Sequence, residues 1–520
     1  MGAAGEHGII DALARAGVQV VVDSATAARG WGLICHSDAA ALIPTSGSVL
    51  AACKCPVGRR LCSHAPARAA LDRRSTTDCA VVCSASMTAV GDCRARWWQG
   101  VAVSENPRAA RPGVGALLRD LDRSHPSELV DVCSRWLRRR VGARACVLLL
   151  ADYAEASLEP VAAGPPTGQL HPQDLVDSAA GEAYREQRNV TVTLEQAEEA
   201  AAAGAAAGGL GESALVVYLP VSVRAERLGV LAVTMPDQGP SRDVLEVLDD
   251  VARMLGHVLT GARRYTDRFE ILRRRRELGL AAEIQWELLP SLAFALPGFS
   301  IAGTVEPAYD IGGDNFDYAI SAHRLTVSVS DAVGHGLRAA LLASLACTAM
   351  RNSRRAGCTI VEQTDAANRH LVEQFPGADF VTGLVLELDV GSGVATILNA
   401  GHPPPLLVRD GAVSELLIPP ALPLGLMAST CYPLHSFQLQ PGDRLVLLTD
   451  GITEAHRRGE REFGYRRLAA LLAEHRDLEP PELVRHITRT VSESCAGVLN
   501  DDATVVCLDW HPAPPHRPTG

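Results

Sequence analysis

Lysine is almost missing from this 520-residue chain: Lys54 is the only one, and every other basic residue is arginine. A bias that broad reflects a GC-rich coding sequence rather than a function. Long apolar runs are missing too. No window of about 18 uninterrupted apolar residues occurs, and the first residues lack a basic segment followed by an apolar core, so neither a membrane span nor a signal peptide is expected. The expected location is the cytoplasm, with no membrane partner. Positive charge is not in surplus: the formal net charge is −11 and the one compact basic run is Arg273 to Arg276. A nucleic-acid footprint is therefore not expected, and the run itself reads as a solvated helix face. Of the 14 cysteines, seven fall before residue 100 and the rest are scattered singly through apolar segments such as Ala145-Cys146-Val147. The scattered ones read as small buried hydrophobes in a reducing compartment.

Residues 1–112 show no sustained periodicity and resist assignment as folded or disordered. Their sharpest pattern is Cys53-x-Cys55 followed by Cys62-x-His64, which resembles a SWIM-type zinc finger and could close a tetrahedral Zn²⁺ site. From residue 113 regular structure is expected. Leu117, Leu118, Leu121 and then Leu129, Val132, Trp136 and Leu137 recur at helical spacing, with Pro126 between them. Strands are expected at 145–150, 158–162, 214–220 and 228–235, and a closing amphipathic helix at about 242–264. This order over residues 113–262 resembles a GAF domain, an α/β small-ligand and dimerisation module, with no signature naming its ligand. Cys146, inside an apolar strand, reads as core rather than as a haem or bilin attachment. Residues 263–292 read as a continuation of the closing helix, with Leu280, Ile284 and Leu288 on one stripe but no clean heptad, hence a helical signalling linker.

After Pro290 the pattern changes to strands separated by Gly/Pro turns. Strands are expected at 299–304, 325–330, 381–388, 395–398, 406–409, 444–448 and 503–509, and helices at 336–352, 359–374, 464–475 and 480–495. Paired sheets flanked by helices, an α+β sandwich, is the fold class this implies, over residues 293–511, with a disordered tail at 512–520.

Carboxylates punctuate the strand ends. Asp314 and Asp317 sit in a glycine-rich turn, Asp331 and Asp450 follow strands, and Asp501-Asp502 precede one. Strand ends of a sandwich converge on a rim, and an all-oxygen acid cluster there selects Mg²⁺ or Mn²⁺ over Zn²⁺.

Five segments in order, Gly312-Gly313-Asp314-Asn315-Phe316-Asp317, Ser330-Asp331-Ala332-Val333-Gly334-His335-Gly336, Asn399-Ala400-Gly401-His402-Pro403, Thr449-Asp450-Gly451-Ile452-Thr453-Glu454-Ala455 and Asp501-Asp502-Ala503-Thr504, resemble the motifs of the metal-dependent protein phosphatases, the phosphatase 2C or PPM family. The resemblance is to the bacterial sporulation-stage-II-E-like branch, and residues 282–290 look like the helix that leads into that domain. It implies two Mn²⁺ or Mg²⁺ ions held by Asp314, Asp331, the Ala332 carbonyl, Asp450 and Asp501, and hydrolysis of phosphoserine or phosphothreonine by metal-activated water. It places Asp317 and Asp502 around the ligands or on an additional cation, makes His335 a candidate either for proton donation to the leaving hydroxyl or for orienting the helix start in its Gly-His-Gly turn, and gives His402 a turn-fixing role. It further implies a STAS-type anti-sigma-factor antagonist as substrate, control by the GAF-like half with its unknown ligand, and a homodimer through that half and the linker helix. The competing reading is a non-catalytic phosphoprotein-binding sensor or scaffold, disfavoured because a repulsive acid cluster has no use without metal.

Overall fold

The structure, a computed structural model, describes residues 114–512 apart from 162–170, 201–213 and short breaks at 307–308, 310–311, 378, 457–460, 497–498 and 500, together with five strands before residue 84. The chain divides into two compact units, Met1–Arg111 and Pro112–Gly520. In the first, Val49–Lys54 pairs with Val21–Val22, Gly30–His36 and Ala80–Cys83, and Gly30–His36 with Ala39–Thr45. Cys53 lies in this sheet opposite Val81. The other three zinc candidates, Cys55, Cys62 and His64, lie outside the described residues.

The second unit opens with two helices, α1 (Val114–Arg123) and α2 (Leu129–Val141). Leu117, Leu121, Leu129, Cys133 and Leu137 bury one face of each, and α2 stops at Gly142, whose φ of 71° suits the left-handed position after a helix. Six antiparallel strands follow: β1 (Ala145–Ala151), β2 (Ser157–Val161), β3 (Gln173–Asp174), β4 (Val190–Thr193), β5 (Ala214–Val223) and β6 (Glu226–Pro236). Their spatial order is β3-β2-β1-β6-β5-β4. The helices α3 (Ala179–Glu186) and α4 (Leu194–Ala200) interrupt them, and α5 (Arg242–Ala262) closes the module. Packing α1, α2 and α5 on one face of the sheet and α3 on the other makes two apolar cores. Cys146 belongs to the first, and burial pushes its thiol well up from its ordinary range.

The spacing in residues 263–292 predicts one continuous helix, but α5 ends at Ala262 and two short helices follow, α6 (Arg268–Arg273) and α7 (Leu280–Leu288). The arginine run accompanies the second break, between α6 and α7. Arg273 Nε donates to the Ala151 carbonyl at 2.9 Å, Arg274 Nη2 to Glu283 at 2.8 Å and the Arg275 backbone N–H to the Tyr309 hydroxyl at 3.1 Å, while the Arg276 guanidinium lies 5.4 Å over the Tyr309 ring. Partners in such different directions cannot be served from one helical stripe. Arg273 and Arg274 are internal struts, while Arg275 and Arg276 are exposed, so the solvated face expected of the run is only half of it.

The remainder is the expected α+β sandwich. One sheet has the order β7-β8-β17-β16-β13-β14, built from β7 (Ala293–Leu296), β8 (Phe299–Glu306), β13 (Leu406–Arg409), β14 (Ala412–Glu415), β16 (Arg444–Leu448) and β17 (Ala503–Trp510). The other runs β9-β10-β11-β12-β15, from β9 (Asp314–Ser321), β10 (Arg324–Ala332), β11 (Val381–Asp389), β12 (Val394–Ala400) and β15 (His435–Gln438). Alternate residues of both sheets, among them Phe299, Ile301, Phe316, Val327, Val329, Leu384, Leu386, Leu445, Leu447, Val506 and Leu508, face inward and form the core between them. Helices α8 (Leu337–Arg355) and α9 (Ile360–Gln374) cover the five-stranded sheet. Helices α11 (Gly464–Glu474) and α12 (Pro480–Ser494) cover the six-stranded one, after the single turn α10 (Asp450–Thr453).

Candidate active site

The pairing of β9 with β10 places Asp314 directly opposite Asp331, so two acids distant in sequence share one cross-strand position at the sheet end. Asp314 does not lie in a turn, as its glycine-rich setting suggests, but opens a strand that sequence periodicity does not reveal. The two preceding glycines are required by space. A Cβ on Gly312 would stand 2.6 Å from the Gly336 nitrogen, and one on Gly313 2.6 Å from the Ala332 carbonyl oxygen, so only glycine lets this backbone approach the Ala332 carbonyl.

The other sheet brings the remaining acids to the same rim. Asp450 begins α10 directly after β16, and Asp501-Asp502 run directly into β17, the strand paired with β16. Gly451 permits the contact, since a Cβ there would sit 1.9 Å from the Asp502 carbonyl oxygen. Asp502 Oδ2 accepts the backbone N–H groups of Gly312 at 2.7 Å, Gly313 at 2.6 Å and Asp314 at 3.4 Å. It clamps the turn before Asp314 and thereby ties the two sheets together at the site. Thr449, fully buried, donates from Oγ1 to Asp314 Oδ2 at 2.6 Å and accepts the Thr504 backbone N–H at 2.9 Å. That acceptor bond fixes the direction of the hydroxyl proton.

The electrostatics follow from this crowding. Burial first, and then Asp450, Asp501 and Asp502, push the Asp331 carboxyl up to about 7. Burial and the facing Asp331 raise Asp314 well above the carboxylate range, with the Thr449 bond opposing. Burial and Asp501 raise Asp450. Asp502 is also raised, chiefly by burial, against the pull of the three N–H groups it accepts. Acids held together at this cost call for a cation. Among the described residues no three His, Cys, Asp or Glu side chains close into a cage around one point. The donors are carboxylate oxygens strung along a rim, with the Ala332 carbonyl at the glycine pair beside them, and this set fits hard divalent ions.

Asp317 does not join the rim. Three residues after Asp314 on a strand, its side chain points to the opposite face, where Arg351 Nη2 donates to Oδ1 at 2.7 Å and Arg354 Nη2 to Oδ2 at 2.8 Å. It is an ion-pair anchor for α8, which corrects its assignment to the metal surroundings. Asp310 lies outside the described residues. His335 is exposed, in a turn whose flanking Gly334 and Gly336 have φ of 87° and 74°, and its Cα borders Gly312. His402 is buried: its Nε2 donates to the Leu448 carbonyl at 3.1 Å, so its Nδ1 accepts from the Thr382 hydroxyl at 2.8 Å. Burial drops its pKa to about 4. A neutral imidazole thus joins β11, at the residue opposite Asp331, to the end of β16 just before Thr449.

Four participants carry no recognisable signal of their own. Thr449 is readable only as the residue before an acid, and the Arg351/Arg354 pair only as neighbours on one helix face. Gln285 of α7, wholly buried, accepts from Asn315 Nδ2 at 3.1 Å, so the linker touches the residue next to Asp314.

Comparison with known proteins agrees with this geometry. Residues 321–511 match the profile of the family described as stage II sporulation protein E (SpoIIE). The C-terminal half carries a SpoIIE-type, phosphatase 2C-like domain. The profile match includes Asp331, Asp450 and Asp501 and begins after Asp314. The chain is 25% identical over 292 residues to the phosphoserine phosphatase RsbU of Bacillus subtilis, spanning 55% of this chain and 85% of that protein. It is 27% identical over 188 residues to the phosphoserine phosphatase RsbP of the same organism, covering 35% of this chain and 46% of that one. Among solved structures, the RsbU and RsbW domains of a Mycobacterium tuberculosis protein are 32% identical, with a TM-score of 0.39, covering 43% of this chain and 63% of theirs. No helix of the described residues is long and apolar enough to cross a membrane.

Proposed function

We propose that the SpoIIE-type domain is a divalent-metal-dependent protein serine/threonine phosphatase. The observation that carries this is the cross-strand pair of buried Asp314 and half-buried Asp331, mutually repelling and within electrostatic reach of Asp450, Asp501 and Asp502. Asp314, Asp331, the Ala332 carbonyl, Asp450 and Asp501 would hold Mn²⁺ or Mg²⁺. A rim of acids without a single focus suits two ions better than one. When bound, such ions lower the pKa of a coordinated water and neutralise phosphoryl oxygens.

The chain's own residues prepare that site. Thr449 holds one oxygen of Asp314, which leaves the other for a cation. Asp502 fixes the backbone of Gly312, Gly313 and Asp314, and His402 keeps the ends of β11 and β16 in register beneath the acids. His335, exposed at the rim, is the residue we assign as proton donor to a leaving hydroxyl.

The phosphoserine phosphatase names of RsbU and RsbP support a phosphoseryl protein as substrate. A STAS-type anti-sigma-factor antagonist is the substrate class we assign, and the cytoplasm the place of action. Residues 113–262 are assigned as a GAF-like sensor, residues 263–292 as its linker, and the pair as the contact of a homodimer. The Gln285–Asn315 bond and the Tyr309 hydroxyl, which donates to Asp152 of the sensor-like module at 3.4 Å, supply contacts through which that module reaches the metal-binding turn. Deleting residues 1–262 should change the Mn²⁺ affinity or the turnover of the remaining domain; if both match those of the full chain, regulation by the sensor-like half is excluded. The catalytic reading is tested by Mn²⁺-dependent hydrolysis of p-nitrophenyl phosphate, which should need Asp331 and Asp450.

A further inference from the structure

Thr504, the second residue of β17, is wholly buried, and its hydroxyl has no hydrogen-bond partner among the described residues. Its backbone, by contrast, is paired with Thr449: the Thr504 N–H donates to Thr449 Oγ1 at 2.9 Å, and its carbonyl accepts the Thr449 N–H at 3.0 Å. A buried hydroxyl without a partner destabilises the fold that holds it, and a native one calls for a role.

Strand alternation fixes where that hydroxyl points. Val506 and Leu508, two and four residues on, belong to the core between the sheets, whereas Ala503, Val505 and Cys507 pack under α11 and α12. Thr504 shares the first face. On β9, Phe316 lies in the same inner core, so Asp314, two residues earlier, faces it as well. The two strands meet there, since a Cβ on Gly303 would stand 2.9 Å from the Phe316 ring and 3.0 Å from Val506 Cγ2. Asp314 and Thr504 each lie two residues before that contact, on facing sheets, and the Thr449 hydroxyl sits between them, bonded to Asp314 Oδ2 and to the Thr504 nitrogen. Burial and Asp331 raise the Asp314 carboxyl, and the hydroxyls of Thr449 and Thr504 both oppose that rise. Thr449 has given its one proton to Asp314. A carboxylate offers about four acceptor positions, so Thr449 and a cation leave room for a second hydroxyl.

We propose that Thr504 is a positioning residue for the metal-loaded site, its hydroxyl donating to the Asp314 carboxylate beside that of Thr449 when the carboxylate holds a cation. This role rests on the reading of Asp314 as a Mn²⁺ or Mg²⁺ ligand. The hydroxyl is then a cost to the metal-free fold and a gain to the loaded one. A hydroxyl with a purely structural partner does not give those opposite signs.

The test is titration calorimetry with Mn²⁺ on the full chain, together with urea unfolding after metal is stripped with EDTA. Thr504→Val should weaken Mn²⁺ binding by about tenfold or more, the scale of a lost outer partner, while the metal-free urea midpoint stays level or rises. Thr504→Ser, which keeps the hydroxyl, should bind Mn²⁺ nearly as the wild type does. Asp314→Asn, the control for the metal reading, should lose more than about 100-fold, beyond the range of an outer partner. Wild-type affinity in Thr504→Val beside a weakened Asp314→Asn overturns the role of Thr504 and leaves the metal reading standing, whereas wild-type affinity in Asp314→Asn overturns both. A Ser variant as weak as the Val one, or a Val variant that unfolds more easily without metal, shows side-chain shape or a structural bond at work and also overturns it.

Discussion

Replacing Thr449 by valine changes little in shape and removes one hydroxyl. In the structure that hydroxyl makes a 2.6 Å bond to Asp314 Oδ2 and receives the Thr504 N–H at 2.9 Å. Valine leaves both partners buried and unmatched. The lost bond to a carboxylate is worth about 1.5–3 kcal/mol, and the orphaned N–H costs about 1–3 kcal/mol of stability. Asp314 also loses the contact that selects its rotamer, and outer partners of metal ligands typically contribute about 10–100-fold to affinity. Thr449→Val should therefore weaken Mn²⁺ binding by about 10–100-fold in calorimetry, lower the midpoint of urea unfolding, and leave the far-ultraviolet circular dichroism unchanged. Thr449→Ser, which restores the hydroxyl, should recover most of the affinity. Wild-type Mn²⁺ affinity in Thr449→Val would refute the reasoning, as would a Ser variant as weak as the Val one, because the first shows the hydroxyl to be idle and the second shows the methyl group to be what matters.

Asp317→Asn removes a buried charge from between two arginines; breaking such a pair costs about 3–5 kcal/mol when fully buried, and with the guanidiniums about one-fifth exposed the loss in urea unfolding should be nearer ~2–3 kcal/mol, with Mn²⁺ affinity held close to wild type. Gly313→Ala should abolish Mn²⁺ binding in calorimetry, since the new Cβ falls 2.6 Å from the Ala332 carbonyl oxygen. Metal-free Asp331, raised to about 7 from 3.8, binds its proton more tightly folded than unfolded; its contribution is complete below pH 3.8 and lost as pH rises through 7, so Mn²⁺ should raise the melting temperature more at pH 7.5 than at pH 5. His402, lowered to about 4 from 6.5, works oppositely: its stabilisation is complete above pH 6.5 and lost as pH falls toward 4, on the order of 3 kcal/mol, and His402→Gln should flatten that part of the stability profile.

Asp331, Asp450, Asp501 and Asp502 were legible because each follows or precedes a strand that its own sequence announces. Val327 and Val329 alternate in β10 up to Asp331, Leu445 to Leu448 of β16 are an unbroken apolar run before Thr449-Asp450, and Val505 to Leu508 of β17 another after Asp501-Asp502. Asp317 was not legible, because β9 hides its strand character: a glycine pair and three acids read as a turn, and only the pairing with β10 shows that Asp314 and Asp317 face opposite ways. The linker misled for a different reason. Leu280, Ile284 and Leu288 do fall on a helical stripe, but whether that helix runs back into α6 depends on Arg273 to Arg276 finding partners on β1, α7 and Tyr309, which are tertiary contacts. Thr449 and Gln285 belong to the same class, residues whose role is set by what arrives beside them.

The central claim is that four acids from both sheets form one metal-dependent hydrolytic site. Its most direct test is phosphate release from a phosphoserine peptide, titrated with Mn²⁺, by the full chain and by Asp331→Asn and Asp450→Asn, one acid from each sheet. The account predicts Mn²⁺-dependent release by the wild type and a loss of at least about 100-fold in each variant, beyond the range of an outer-partner change. Undiminished release in either variant, or release by the wild type that EDTA does not suppress, would contradict it.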